Sequence, residues 1–296
     1  MAAVSTRPPR TLADLLSDLA GAGPGSDAAW VEALRHDLDA AAASAAEVGG
    51  WDAADPLRLT KRTVAWLLRC PRRAVAGESG EPPGDDVLIG HAVDAAAKVA
   101  TLVPQRPPTV DSAVAFLAAT GEDAAADRLA EGSPLRAEAS ARVTALAAVW
   151  PAIDPAWWPR VEDPVRCRLA GGRVTVGGRL DLALGGPPTD RPAVVVEVKA
   201  GRWYDGMRAD GHLYALLLAL RDGVAPRAAV TVVADGTTQI EPIRPTILAH
   251  AAERLAEAMA VAADLAAGAT PEARPNPGCP HCPARPDCPP GQAWRP

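Results

Sequence analysis

Three runs rich in β-branched residues, crowded between residues 161 and 198, most constrain what this chain can fold into. They cover residues 161–169, 173–184 and 193–198, and turns containing glycine and proline separate them. A strongly apolar helix is predicted after them, followed by two further strands, at 207–220, 228–234 and 239–243. Three strands followed by a helix and another strand predict an α/β core.

Helices are predicted on both sides of this strand-rich stretch. In the segment from Leu57, we expect a short helix over Leu59–Cys70, with Thr60 as its N-cap and Pro71 ending it. His91 lies near the start of another helix. The remaining predicted helices are 12–19, 27–48, 87–102 (which carries His91), 110–129, 135–149 and 245–267.

Composition excludes several classes of protein. The 296 residues are 48% hydrophobic, which is enough to bury a core. No apolar run is long enough to span a membrane, and no apolar segment of a secretion signal follows Met1–Arg10, so we expect a cytoplasmic protein. The formal charge of −6 provides no polycationic surface, and nucleic acid would need a local groove. Only three lysines occur among 30 basic residues, so a lysine in a motif is informative.

Two acids and a lysine stand out in the second and third strand-like runs. Asp181 lies in the second run, Glu197 lies in the third, and Lys199 directly follows the third. Residues 197 and 199 share one face, because side chains alternate along a strand. Charged groups in apolar runs need a partner, water or a metal, and carboxylate oxygens suit Mg²⁺ or Mn²⁺. A structural ion pair at a strand end remains the alternative.

Cysteines form a second constellation. Cys279, Cys282 and Cys288 make a C-x2-C-x5-C pattern near the end of the sequence, and Cys70 lies much earlier in the chain, at the end of a predicted helix. Four thiolates can bind a tetrahedral zinc ion or an iron–sulfur cluster, and the chemistry alone does not choose between them. Cys167 lies within a strand, where a small buried hydrophobic residue is the simpler interpretation.

The strand motif resembles that of the PD-(D/E)XK nuclease superfamily: Asp181, a turn, and then Glu197-Val-Lys199. The proline usual before the aspartate is absent, as it often is in the RecB-like branch. Gly90-His91 is similar to that branch's metal-binding histidine on a helix, and Glu162 is similar to its glutamate at the start of the first strand. Asp210-Gly-His-Leu-Tyr214 is similar to the Gln-x-x-x-Tyr motif, with Asp210 replacing the glutamine.

Cys70-Pro71-Arg72 together with the C-terminal cysteine pattern is similar to the iron–sulfur nucleases related to the AddB subunit and the CRISPR-associated RecB-like exonucleases. In those proteins a cluster ties the chain ends around the nuclease core. The resemblance implies a [4Fe–4S] cluster on Cys70, Cys279, Cys282 and Cys288. It implies a restriction-endonuclease-like fold, a mixed sheet flanked by helices.

The resemblance also implies a chemistry and a division of the chain. Mg²⁺ or Mn²⁺ would be held by His91, Asp181, Glu197 and the backbone carbonyl of Val198, with Lys199 assisting the attacking water. Tyr214, Arg208 and Asp210 would form the DNA contact. The expected activity is hydrolysis of DNA by an exonuclease acting on single strands or ends, with protein partners in a repair or defence complex. The predicted parts are an N-terminal helical extension (1–56), a helical part (57–160), the nuclease core (161–244) and a C-terminal helix with the cysteine tail (245–296).

Two other functions remain open at this point. A noncatalytic DNA-binding or assembly subunit could retain the same fold, because Asp210 removes an amide donor and adds a negative charge. A structural protein held together by zinc would also account for the cysteines.

Overall fold

The computed structural model describes residues 11–22, 28–77, 84–187 and 189–295. In these residues a six-stranded mixed sheet is covered by helices on both faces. The strands are β1 (Leu57–Thr60), β2 (Arg160–Leu169), β3 (Val174–Gly186), β4 (Arg191–Lys199), β5 (Ala228–Val233) and β6 (Thr238–Pro242). The helices are α1 (Leu12–Leu19), α2 (Ala28–Gly49), α3 (Lys61–Arg69), α4 (Pro71–Ala76), α5 (Asp85–Leu102), α6 (Val110–Ala119), α7 (Asp123–Arg128), α8 (Pro134–Val149), α9 (Arg208–Asp222), α10 (Pro245–Ala266) and α11 (Pro289–Ala293).

The long strand β3 organises the sheet. Strand β2 pairs antiparallel along one of its edges. The other edge is shared: β1 pairs in parallel with Val174–Gly177, and β4 pairs antiparallel from Leu182 to Gly186. Strand β5 then adds in parallel to β4, and β6 closes the sheet antiparallel to β5. The carboxyl ends of β1 and β4 therefore point toward each other along the same edge of β3, near its middle.

Two apolar cores lie on the two faces of the sheet. One contains residues of α2, α3, α9 and α10, with Leu216, Leu255 and Met259 fully buried. The other contains residues of α1, α5, α6, α7 and α8. All six residues of β5 are buried, because this central strand is covered on both faces.

The structure confirms most of the predicted elements and corrects two. The predicted helix over Leu59–Cys70 is wrong at its start, because Leu57–Thr60 pairs with β3 as strand β1. Thr60 caps α3 as expected, since its hydroxyl accepts the Thr63 backbone N–H. The single helix predicted over 110–129 is wrong as well: it divides into α6 and α7, where Gly121 adopts a φ of +84°.

No helix among the described residues is long and apolar enough to cross a membrane. The first ten residues, on which the prediction about a secretion signal rests, lie outside the described part of the chain.

Candidate active site and cysteine cavity

Asp181 and Glu197 meet where β1 and β4 end against β3. Leu182 is paired with Val196, so the next position in that register sets Asp181 opposite Glu197. The backbone N–H of Val198 donates to Asp181 Oδ2 at 2.7 Å. Glu197 is fully buried, and its Oε1 has no hydrogen-bond partner among the described residues. The structure thus places an unsatisfied buried carboxylate oxygen beside a second carboxylate.

Two lysines cross-link Glu197 to Asp210, the first-turn residue of α9. Lys199 Nζ lies 2.9 Å from Glu197 Oε2 and 2.8 Å from Asp210 Oδ2. Lys61 Nζ lies 2.8 Å and 3.7 Å from the same two oxygens. Burial alone lowers the pKa of Lys199, but the charges of Glu197 and Asp210 outweigh it and raise that pKa overall. The Lys199 ammonium group is therefore held in the charged form.

The environment of Asp181 opposes ionisation. Burial, followed by the charges of Glu197 and Asp94, raises the pKa of Asp181 to about 8, against the opposing effect of Lys61 and the Val198 N–H. A carboxyl group in this setting either binds a proton or gains from a cation placed beside it.

A second charged cluster lies on α5, on the opposite side of Asp181. Lys98 forms ion pairs with Asp94, four residues before it, and with Glu162 on β2. Asp94, Lys98, Asp181 and Val198 line one narrow gap. Burial raises the pKa of Asp94, and its Oδ1 has no hydrogen-bond partner among the described residues. Glu162 has a φ of +54°, which is unusual for a residue other than glycine.

His91 lies one turn before Asp94 on α5. Its Nδ1 is 2.9 Å from Glu122 Oε2, and the side chains of both residues are about half exposed. No group of three or more His, Cys, Asp or Glu side chains in the described part of the chain is arranged closely enough to hold a metal ion. The role of His91 as a metal ligand stays a prediction.

The three residues expected to contact DNA have different environments. Tyr214 is 4% exposed, and Lys61 lies over its ring at 4.8 Å from the centroid. Burial raises the pKa of its hydroxyl, and the charges of Glu197 and Asp181 add to this effect. Arg208 is about half exposed and lies over the ring of Trp203. Asp210 is engaged by the two lysines. Their roles toward DNA stay predictions.

Sequence reasoning missed Lys61, Asp94 and Lys98 as members of this site. Lys61 is next to the overlooked strand β1, and Asp94 is one turn beyond the histidine that the motif emphasised. The scarcity of lysine was the one signal that could have found two of them, since all three lysines of the chain take part in these two clusters.

The four predicted cluster cysteines line a single cavity of about 230 Å³. The backbone N–H groups of Arg274 and Asn276 point to the Sγ atoms of Cys70 and Cys279, at 3.4 and 3.3 Å. A Cβ added to Gly291 would lie 3.2 Å from Cys288 Sγ and 3.8 Å from Cys279 Sγ, so glycine keeps this wall clear. The four thiols therefore share one cavity, and their role as ligands of a cluster stays a prediction.

Cys167 is separate from this cavity. It is buried in the apolar core on β2, and its thiol contacts the Leu217 carbonyl at 3.4 Å. Burial raises the pKa of this thiol to about 11, as expected for an unreactive core cysteine.

Comparison with known proteins identifies the family. The model of the PD-(D/E)XK nuclease superfamily matches residues 58–289, which include the carboxylate pair and all four cavity cysteines. The chain belongs to the PD-(D/E)XK nuclease superfamily. Its mixed sheet flanked by helices is the restriction-endonuclease-like fold of that superfamily. No curated protein matches this chain.

Two solved structures are similar to this member of the superfamily. The crystal structure of a protein named "Putative exonuclease", from Eubacterium rectale, has a TM-score of 0.48 and 13% sequence identity. The alignment covers 73% of this chain and 84% of that one. A protein named SSO0001 has a TM-score of 0.34 and 16% identity, over 78% of this chain and 85% of its own. At these scores the assignment to the superfamily rests on the family model.

Proposed function

We propose that this nuclease-superfamily chain is a deoxyribonuclease dependent on Mg²⁺ or Mn²⁺, acting as an exonuclease on single strands or DNA ends. The proposal rests on the buried Glu197 carboxylate, whose Oε1 has no hydrogen-bond partner among the described residues. Glu197 lies on β4, and Asp181 lies opposite it on the paired strand β3. An orphaned carboxylate oxygen in a buried, multiply acidic site is costly unless water, a proton or a cation satisfies it, and a cation also offsets the neighbouring negative charges. Members of this superfamily typically use divalent metals.

The adjacent carboxylates of Asp181 and Glu197 offer the oxygen donors that such an ion prefers. Asp181 and Glu197 would supply carboxylate oxygens, with His91 and the Val198 carbonyl as the further ligands implied by the resemblance. A divalent ion held there would lower the pKa of a water molecule and offset the charge of the phosphodiester. The raised pKa of Asp181 agrees with this role, because a cation is what favours its ionised form.

The chain's own residues would then orient the substrate and stabilise charge. Lys199 presents an ammonium group, partly exposed to solvent, that would donate to the attacking water or to a phosphoryl oxygen. Arg208, the first residue of α9, is about half exposed and would contact a DNA phosphate. Tyr214 is buried beneath Lys61, so it would act by supporting that side chain and by its hydroxyl, which reaches the edge of the carboxylate cluster.

We also propose that Cys70, Cys279, Cys282 and Cys288 hold a [4Fe–4S] cluster. The N–H donors directed to two of the sulfur atoms support this centre, because such hydrogen bonds stabilise thiolate charge in iron–sulfur sites. Zinc on the same four thiolates is the competing occupant.

A digestion assay tests the proposed activity. The protein is purified without oxygen and incubated with end-labelled single- and double-stranded DNA, with Mg²⁺, with Mn²⁺ or with neither. We expect cleavage only with a divalent ion, and a loss on the order of 100- to 1000-fold in Asp181→Asn and Lys199→Ala. Asp37→Asn, an exposed acid on α2, is the matched control and should keep full activity. No cleavage by the wild type, or wild-type cleavage by both variants, would overturn the proposal.

One observation favours a noncatalytic subunit as the second candidate. Asp210 engages Lys199 directly, at 2.8 Å, and so competes with any substrate group for that ammonium. DNA binding without cleavage under either ion would support this alternative. A cytoplasmic location, the four-part division of the chain, and partners in a repair or defence complex remain part of the proposal.

A further inference from the structure

A second cavity, of about 110 Å³, lies between the first turn of α9 and the last two strands of the sheet. The proposed metal and cluster centres make no use of it. Since a closed apolar cavity of about 150 Å³ holds a benzene molecule, this one is close to the size of a single ring. Its walls are formed by Trp203, Arg208 and Gly211, by Ala229 and Thr231 of β5, and by Gln239, Ile240, Glu241 and Pro242 of β6.

A row of polar side chains connects this cavity with the carboxylate site. Glu197 is paired with Thr231, and Thr231 is paired with Gln239, so the three side chains lie on one face of neighbouring strands. Neighbouring strands are about 4.8 Å apart, which places Gln239 about 10 Å from Glu197. A nucleotide whose phosphate lies at the carboxylates can therefore extend its base to the cavity.

Thr231 is the unexpected residue of this row. Strand β5 is otherwise made of alanine and valine, and all six of its residues are buried. Among the described residues, the buried polar or charged ones are Thr101, Glu197 and Thr231. Thr101 is satisfied within its own helix by the Ala97 carbonyl. The other two are paired with each other, one at the active site and one at the cavity, and a polar group buried in such a strand needs a partner.

Ring surfaces and hydrogen-bonding groups line the cavity together. Trp203 contributes an aromatic ring, and the Arg208 guanidinium lies over it, 5.5 Å from the ring centroid. Nucleobases stack both on aromatic rings and on guanidinium planes. Gln239 contributes an amide and Glu241 a carboxylate, which can form hydrogen bonds with the edge of a base. The cavity therefore matches a nucleobase in its chemistry as well as in its size.

The charges around Glu241 indicate which bases fit. Glu241 Oε2 lies 2.6 Å from His212 Nε2, and its Oε1 lies 4.0 Å from the Arg208 guanidinium. Both basic side chains are thus engaged, and the carboxylate would repel a phosphate in the cavity. A carboxylate accepts hydrogen bonds, and its usual donor on a base is an exocyclic amino group such as that of cytosine. Uracil and thymine have a carbonyl at the same ring position.

We propose that this cavity is a base pocket for the nucleotide next to the cleavage site, and that Glu241 makes it prefer cytosine over a base with a carbonyl at that position. The choice of DNA as the source of the base rests on the proposed function. The base pocket itself follows from its lining and its place on the sheet, and no metal ion enters the argument.

Binding of two single-stranded oligonucleotides of equal length, oligo(dC) and oligo(dU), tests the base pocket in the absence of divalent ions. The wild type should bind oligo(dC) about tenfold more tightly. Trp203→Ala should weaken the binding of both about tenfold, because stacking does not depend on the base. Trp158→Ala removes an exposed tryptophan outside the cavity and is the matched control. It should leave both affinities unchanged.

Glu241→Gln separates base recognition from a structural role. An amide can accept from an amino group or donate to a carbonyl, so this variant should bind the two oligonucleotides with nearly equal affinity. A purely structural role, through the pair with His212, would change both affinities alike and keep their ratio. Glu253→Gln removes another carboxylate paired with a histidine, His250 on α10, and should keep the wild-type ratio. Circular dichroism establishes that each variant is folded.

The outcomes separate this proposal from the proposed activity. Equal affinities in the wild type, a wild-type ratio in Glu241→Gln, or no oligonucleotide binding by the wild type overturns the base pocket, whether or not the protein cleaves DNA. Absence of cleavage together with the expected ratios overturns the nuclease activity and leaves the base pocket in place.

Discussion

At the scale of single residues, the site is dominated by buried carboxylates that are incompletely satisfied. Glu197 is fully buried and has one free oxygen, and Asp181 accepts a backbone N–H yet is surrounded by other acids. Such groups destabilise a folded protein unless a proton or a cation compensates them. Buried groups with strongly shifted pKa values cluster at functional sites.

The raised pKa of Asp181 predicts how stability depends on pH in the metal-free protein. Its folded pKa of about 8 exceeds the unfolded value, so the folded state binds the extra proton between these values and loses stability as pH rises toward 8. The loss is at most about 1.4 kcal/mol per pH unit. Asp181→Asn should therefore stabilise the metal-free protein more at pH 8 than at pH 6, as measured by thermal denaturation.

Manganese provides the complementary measurement. Because binding displaces the proton on Asp181, Mn²⁺ should raise the wild-type melting temperature more at pH 8 than at pH 6. Asp37→Asn, as the control, should follow the wild type at both pH values. If the difference in stability between Asp181→Asn and the wild type were the same at pH 6 and pH 8, this explanation of the Asp181 environment would be contradicted.

At the scale of elements, close contact between β3 and α9 holds the site together. Gly178 on β3 lies against the Tyr214 ring: an added Cβ would be 2.7 Å from the tyrosine hydroxyl and 3.1 Å from Cε1. Tyr214 in turn lies under Lys61. The glycine therefore lets α9 approach the strand that carries Asp181.

Gly178→Ala should destabilise the protein by about 1–3 kcal/mol, because the buried ring has little room to move. Tyr214→Phe removes the hydroxyl that the new methyl group would meet, so the double variant should recover part of the loss. Gly177→Ala is the matched control: its Cβ would meet the Val165 carbonyl at 2.8 Å, and Tyr214→Phe should not relieve it. A double-mutant cycle in urea measures this coupling, and its absence would contradict the contact.

At the scale of the whole molecule, distant parts of the chain meet around the cysteine cavity. The Arg72 backbone N–H donates to the Glu272 carbonyl at 3.0 Å, and the Arg274 guanidinium donates to the Leu68 carbonyl at 3.0 Å. The helix that starts with Lys61 at the active site ends next to Cys70. A centre bound in this cavity would thus fix one end of the helix whose other end carries Lys61.

Serine replacement of Cys70, Cys279, Cys282 or Cys288 should abolish absorbance near 400 nm in protein prepared without oxygen. It should also lower the melting temperature, because binding energy at a structural metal centre is folding energy. Cys167→Ser, in the core, should retain the absorbance. Iron, sulfide and zinc analysis completes the measurement: stoichiometric zinc without sulfide rules out the iron–sulfur centre, and a normal cluster in Cys70→Ser rules out its ligand set.

The sequence alone determined those elements and site residues whose pattern lies within a short stretch of the chain. β-Branched runs, helix caps and the spacing of Glu197 and Lys199 depend on residues near each other in the chain, so the strands, most of the helices and the carboxylate pair could be predicted. The rarity of lysine singled out the three lysines as informative residues. It did not predict where they lie in the fold.

Tertiary structure decided what depends on contacts between distant segments. Strand β1 is only four residues long and exists because β3 offers it an edge, so local pattern indicated helix there. That pairing brings Lys61 to Glu197, 136 positions later in the chain. The chain's own pattern likewise gives no sign that Asp210 engages two lysines. Such contacts are set by the register of the sheet and the packing of α9, which no local stretch of sequence contains.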